Sequence, residues 1–282
     1  MPCRPGRVDL PYQSPYDWPA LIAFWGARAT PGVEEVSRDG YRRTIDLAGR
    51  TGVIEIRPAE AGSALSLHVA SPHPALPAIV ERVRWMCDLD ATPSVLGAHF
   101  RADPLLGPRL AAHPGIRVPG AWDGFELAVR AVLGQQVSVR AATTIAGRIA
   151  QAFGTEVAPA NGLSRVFPTP AALAEAALEQ CGVMPSRAAT IRALARAVIE
   201  RRVVLEAGRN GRAELMALPG VGPWTASYVA MRALGDRDAF PSGDLVLRRA
   251  AGRCTARELE ARAEAWRPWR AYAVMLLWQD PA

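Results

Sequence analysis

The sequence contains no lysine: all 33 of its cationic side chains are arginines, set against 27 carboxylates, for a formal net charge of +6 over 282 residues. No side-chain amine therefore exists to form a Schiff base with a carbonyl substrate. The only other amine is the chain terminus, Pro2 after removal of Met1, and nothing around it resembles a reactive site. Cysteine is scarce as well. Cys3, Cys87, Cys181 and Cys254 lie far apart with no CxxC pair, which argues against a zinc knuckle or an iron–sulfur cluster and predicts free thiols. No run approaches the ~20 consecutive apolar residues of a membrane span, and the N-terminal Met-Pro-Cys-Arg-Pro-Gly-Arg lacks the apolar stretch of a signal peptide. The expectation is a cytoplasmic protein with no membrane segment. The excess of arginine favours a polyanionic partner without identifying one.

Half of the residues are hydrophobic, enough to bury a sizeable core in two compact domains or one large one. From about Tyr41 to Ala70, apolar and polar residues alternate in short runs, as in Gly52-Val53-Ile54-Glu55-Ile56 and Leu65-Ser66-Leu67-His68-Val69. Period-two runs broken by Gly, Pro and Ser predict antiparallel strands. A helical segment precedes them (18–29) and another follows (75–89). Residues 92–120 are rich in Pro, Gly and His, and beyond them the strand signal ends. Helical patterns then cover 122–133, 138–153, 170–180, 186–201, 212–218, 223–234, 244–252, 255–265 and 268–278, with Ser186 placed to cap one of them. The fold class is α+β: a small mixed unit with an antiparallel sheet, then an all-helical part.

The sharpest local pattern is Leu218-Pro219-Gly220-Val221-Gly222, which follows a short amphipathic segment and precedes Pro223-Trp224-Thr225-Ala226. Pro223 suits the first position of a helix, where a missing N–H costs nothing. The pattern is that of a helix-hairpin-helix. Its glycines let the backbone approach a phosphate, and the amides opening the second helix point at it. Such a turn holds a nucleic-acid backbone without reading bases. Taken alone, its spacing is also met by an ordinary corner between two helices, the weaker of the two readings.

Asp244 stands twenty-two residues after Gly222, within Pro241-Ser242-Gly243-Asp244-Leu245. An Asp after Gly, opening a helix, is by itself a helix cap. A hairpin followed by a Gly/Pro loop and such an Asp resembles the signature of the helix-hairpin-helix DNA glycosylases. Four further segments narrow the resemblance to the bacterial 3-methyladenine DNA glycosylase II family, the AlkA type: Pro15-Tyr16-Asp17-Trp18, Asp123-Gly124-Phe125-Glu126, Leu133-Gly134-Gln135-Gln136-Val137-Ser138 and Trp266-Arg267-Pro268-Trp269.

That resemblance implies a mixed α/β domain over 1–91 and a helical glycosylase domain over 92–282. The latter would comprise two subdomains, about 124–236 and 92–123 with 237–282, around a cleft. It implies a monomer that acts on double-stranded DNA carrying alkylated bases and needs no cofactor. Asp244 would be the catalytic carboxylate. Phe24, Trp224, Tyr228 and Trp278 would form the base pocket, although the spacing of Trp224 and Tyr228 equally suits a core seam. Pro219, Gly220, Val221, Gly222 and Thr225 would hold the DNA backbone. The main-chain carbonyls of Met216, Leu218 and Val221 would hold a structural monovalent cation, sodium or potassium. Trp266 and Trp269 read as core.

In strand-cleaving relatives a lysine stands where Trp224 does; with no lysine in the chain, the expected enzyme is monofunctional. Three positions depart from the family pattern. Gln136 replaces the leucine wedge that fills the gap left by a flipped base, Gly243 replaces an acidic neighbour of the catalytic Asp, and Leu245 replaces an aromatic after it. A non-catalytic DNA-damage-binding or regulatory protein, a glycosylase for oxidised or deaminated bases, and an enzyme of small nucleosides are the competing readings.

Overall fold

The computed structural model describes residues 6–47, 49–60, 62–70 and 73–279, so Pro2 and Cys3 lie outside the described residues. The chain opens with β1 (Gly6–Pro11) and α1 (Trp18–Gly26), then runs through β2 (Glu34–Val36), β3 (Tyr41–Leu47), β4 (Arg50–Pro58) and β5 (Ala64–Val69). These strands form one antiparallel sheet in the order β1-β5-β4-β3-β2. The period-two pattern is its cause. Ile54 and Ile56 of β4 and Leu65, Leu67 and Val69 of β5 alternate into the core, and Glu55, Arg57, Ser66 and His68 take the opposite face. The edge strands β1 and β2 fall outside the expected stretch 41–70; β2 has only three residues, too few to display a period.

Two helices, α2 (Leu76–Met86) and α3 (Pro93–Phe100), lead to α4 (Leu106–Ala112). The last two occupy a stretch whose Pro, Gly and His content suggests a linker. Here the breakers are starters: Pro93 stands at the first position of α3, and the Asp103 carboxylate accepts from the amides of Leu105 and Leu106, 2.8 Å each, at the start of α4. Next come α5 (Gly124–Leu133), α6 (Val139–Phe153), the hairpin β6 (Glu156–Ala160) and β7 (Leu163–Arg165), α7 (Pro170–Leu173) and α8 (Pro185–Ile199). That hairpin lies where the strand signal was expected to have ended. The helix expected over 170–180 stops after Leu173 and resumes as a 3₁₀ turn, Leu178–Cys181. Ser186 lies inside the first turn of α8, where its carbonyl accepts the Thr190 hydroxyl at 3.1 Å, and it does not cap the helix.

The chain ends with α9 (Arg212–Met216), α10 (Pro223–Val229), α11 (Leu245–Ala250), α12 (Ala256–Ala263) and α13 (Arg270–Gln279), α10 running on into a π turn, Ala230–Leu234. The α+β expectation holds. One buried apolar cluster runs from Leu10 to Leu277, and it includes Trp266, with Trp269 packed against it. Cys87, Cys181 and Cys254 are free. Among the described residues no helix is long and apolar enough to cross a membrane.

Helix α5 lies at the centre, against α6, α8 and α10, and eight of its ten residues are buried. One of the eight is a carboxylate. Glu126 accepts from Arg43 of β3 at 2.8 Å; one turn later Arg130 meets Glu34 at 2.8 Å, and Glu34 also accepts from the Tyr41 hydroxyl at 2.6 Å. Burial opposes charge on Glu34, but the guanidiniums of Arg130 and Arg43 outweigh it and hold the carboxyl below its usual range. Removing one partner of such a buried pair strands the other, a loss of about 3–5 kcal/mol. Arg43→Met is expected to lose that much in urea denaturation, whereas Arg202→Met, which breaks the exposed pair with Glu200, is expected to change stability by less than about 1 kcal/mol. Equal losses in the two variants would contradict this account of the junction.

Candidate active site

A cavity of about 990 Å³ opens between α5, α10, the start of α11 and Trp278 of α13, with β3 behind it. Asp244 stands at its edge. A turn at Ser242-Gly243, closed by the Asp244 amide on the Pro241 carbonyl at 2.8 Å, delivers Asp244 to the start of α11, which it caps: its Oδ1 accepts from the amides of Val246 and Leu247 at 2.9 and 3.0 Å. The other oxygen, Oδ2, accepts from the Trp224 indole Nε1 at 2.8 Å, and the Trp278 Nε1 lies 3.5 Å from Oδ1. All of these donors are neutral. Among the described residues no arginine pairs with Asp244, which leaves it partly exposed and its charge directed into the cavity. Gly243 has open space around it, and Leu245, 61 % exposed, forms an apolar rim beside the carboxylate.

The aromatic residues do converge. Trp224 and Tyr228, one turn apart on α10, stack with centroids 5.4 Å apart and planes 8° from parallel; Trp278 lies 6.2 Å from Tyr228. These three line the cavity. Phe24 does not: it is buried behind Trp278, at 6.3 Å, with the Arg28 guanidinium 3.8 Å from its ring centroid and that of Arg232 at 4.7 Å. Its place is support of the wall.

Beneath the aromatics the lining is charged: Arg28, Glu34, Arg43, Glu126, Arg130 and Arg232. Only Glu126 falls within a segment that carries the family resemblance, and nothing in that segment assigns it a role. The one available signal is Glu126 and Arg130, four apart in an otherwise apolar helix. Arg232 is 5 % exposed and has no carboxylate partner among the described residues; it donates to the carbonyls of Pro119 and Gly120 and to the Tyr228 hydroxyl, 2.7 Å away. Burial raises the Tyr228 phenol, but Arg232, Arg28 and Arg130 together outweigh burial and bring its pKa below the usual value.

In the hairpin, Pro219, Gly220 and Gly222 are exposed, as a phosphate contact requires, and Gly220 has φ +81°, the left-handed conformation that glycine adopts without strain. Val221 is buried beneath the turn. Thr225 is 3 % exposed, its hydroxyl accepting from Gln135, and this removes it from the surface a phosphate would meet. The carbonyl of Leu218 accepts from the Val221 amide at 3.1 Å, while among the described residues no backbone amide donates to the carbonyls of Met216 and Val221. Two open carbonyls and a third with a lone pair to spare fit a monovalent cation. Gln136 lies at the mouth of the cavity, exposed, with φ +56°.

The family described as the AlkA N-terminal domain matches residues 7–123, and that described as the HhH-GPD superfamily base excision DNA repair protein matches residues 129–271. A probable bifunctional transcriptional activator/DNA repair enzyme AlkA of Mycobacterium tuberculosis is 41 % identical over 96 % of this chain, which spans 56 % of that relative's length. DNA-3-methyladenine glycosylase 2 of Escherichia coli is 33 % identical, with 95 % of each chain covered. A solved 3-methyladenine DNA glycosylase of Archaeoglobus fulgidus superposes with a TM-score of 0.83 at 25 % identity, covering 97 % of each chain. The helical half, the hairpin and the carboxylate that caps α11 thus occur together in a chain that belongs to the HhH-GPD superfamily of base excision DNA repair proteins, within its AlkA-type branch.

Proposed function

We propose that this chain is a DNA glycosylase of base excision repair, a monomer that hydrolyses the N-glycosidic bond of alkylated purines, 3-methyladenine and 7-methylguanine among them, in double-stranded DNA. The observation that carries the reading is Asp244: a carboxylate held at both oxygens by neutral N–H donors, unpaired with any cation among the described residues, at the mouth of an aromatic-walled cavity. The relatives named above support the substrate class.

A buried base must first leave the stack, and a damaged base is the cheapest to extrude. The exposed turn at Pro219, Gly220 and Gly222 holds the phosphate backbone, and a monovalent cation bound by the carbonyls of Met216, Leu218 and Val221 would add positive charge beneath it. Gln136, at the mouth of the cavity, fills the gap left in the duplex. Trp224, Tyr228 and Trp278 receive the base; a ring face attracts a cationic alkylpurine by about 0.5–2 kcal/mol. As the glycosidic bond lengthens, the sugar gains oxocarbenium character, and the Asp244 charge stabilises it or orients the attacking water. With Trp224 in place of a lysine, no side-chain amine is available to attack the sugar covalently, so the product is an intact abasic site.

Asn caps a helix as well as Asp does. Asp244→Asn keeps that cap but turns its amide NH2 toward the Trp224 indole N–H, so it is expected to lose about 1 kcal/mol of stability while release of 3-methyladenine from methylated duplex falls by a factor on the order of 10²–10³. Undiminished release would remove Asp244 from the chemistry, and binding without release by the wild type would favour a damage sensor. Borohydride treatment during turnover is expected to trap no protein–DNA adduct; a covalent band would refute the monofunctional assignment. Affinity for undamaged duplex is expected to fall steeply with salt and to show little sequence preference, since phosphate contacts release counterions. Salt-independent binding would contradict the clamp.

A further inference from the structure

Gln136 occupies a backbone conformation that side chains other than glycine rarely adopt, and such a conformation persists only where the surroundings over-determine it. The residue before it supplies the restraint. The Gln135 side-chain Nε2 donates to the carbonyl of Gly220, at 3.0 Å, and to the Thr225 hydroxyl, at 2.9 Å. Gly220 is the tip of the hairpin, and Thr225 lies in the first turn of α10. The backbone carbonyl of Gln135 accepts in turn from the Arg187 guanidinium of α8. One turn along α8, Thr190 packs so closely beneath the hairpin that a Cβ on Gly220 would lie 2.1 Å from its hydroxyl oxygen. A single turn of α8 thus supports both the loop that carries Gln136 and the turn exposed to phosphate, and the Gln135 amide joins the two directly. Thr225 is sealed from solvent, so water cannot readily replace the bond it receives.

We propose that Gln135 is a positioning residue for base extrusion: by tying the Gln136 loop to the hairpin tip, it makes the grip on a phosphate set the place at which Gln136 enters the base stack. The proposal rests on the glycosylase reading above. Gln135 touches neither the sugar nor the base and acts through its neighbour.

Two variants test it. Gln135→Leu keeps the size and removes both donors; Gln135→Glu keeps the shape and turns an acceptor toward the Gly220 carbonyl. Single-turnover release of 7-methylguanine is measured from a paired duplex and from the same lesion in a single-nucleotide bulge, where the base is already out of the stack. Both variants are expected to lose about tenfold on the paired duplex, the effect of a hydrogen bond or two. On the bulged substrate, and in affinity for undamaged duplex, they are expected to stay within about twofold of wild type. Equal losses on both substrates, or none on the paired one, would overturn the proposal. The fluorescence of 2-aminopurine placed beside the lesion reports extrusion without any base release, so it remains a test if the glycosylase reading itself fails; an undiminished fluorescence rise in both folded variants would refute the role of Gln135. Thermal denaturation identifies a variant that has not folded, and the other then carries the comparison.

Discussion

The cleft depends on how Asp244 divides its two oxygens. One oxygen satisfies the open amides of α11 and the other receives the Trp224 indole N–H. An arginine in place of that indole would bind the carboxylate more strongly, but would also neutralise the charge that the site has to offer. Neutral donors fix its position and leave its charge intact. The same bond couples two successive helices, α10 and α11, across twenty residues. Trp224 is the second residue of α10 and follows the hairpin turn directly, so the phosphate-facing loop, the aromatic wall and the carboxylate are joined through one indole ring.

The Arg43, Glu126, Glu34 and Arg130 cluster fixes the remaining wall. Buried ion pairs contribute little net stability compared with apolar packing of the same volume, because desolvation offsets their attraction. What they add is direction. An apolar helix packed on an apolar sheet tolerates rotation about its axis; Glu126 and Arg130 meet Arg43 and Glu34 in one orientation only. That orientation sets where the C-terminal end of α5 points, and the loop with Gln135 and Gln136 begins one residue beyond it. The sheet, remote from the hairpin in sequence, thereby helps to aim the loop at the mouth of the cavity.

Much of this was legible from residue order alone, because the pieces that announce themselves are those with local causes. Strands β4 and β5 show a strict period of two, the hairpin requires Gly220 at positive φ, and Asp244 caps the helix it opens. The misses have non-local causes. The five residues of β6 gain their identity from pairing with β7, and β2 from pairing with β3. Thr225 looks like a polar residue beside a phosphate loop; only the fold shows that Gln135, ninety residues earlier, has turned it inward. Phe24 reads as a pocket residue by position, yet Trp278 stands in front of it. The charged lining was the least visible, since it is assembled from the turn after α1, β2, β3, α5 and the π turn, and no single segment displays more than a fragment of it.

That lining bears on the proposed chemistry through the direction of its field. Arg28, Arg43, Arg130 and Arg232 face three carboxylates, Glu34, Glu126 and the exposed Asp123, which leaves one positive charge in excess behind the aromatic wall, while Asp244 lies at the mouth. Cleavage of a glycosidic bond separates charge in one sense whatever the base. A cationic alkylpurine departs neutral and a neutral purine departs with negative charge; in both cases one unit of positive charge moves from base to sugar. With the base seated against the wall and the sugar at Asp244, that displacement runs away from the arginines and toward the carboxylate. Fixed charges favour it without having to reorganise. The arginines would weaken the resting attraction for a cationic base, but that loss falls on the ground state, and an interaction unfavourable to the ground state and relieved on the way to the transition state speeds the reaction.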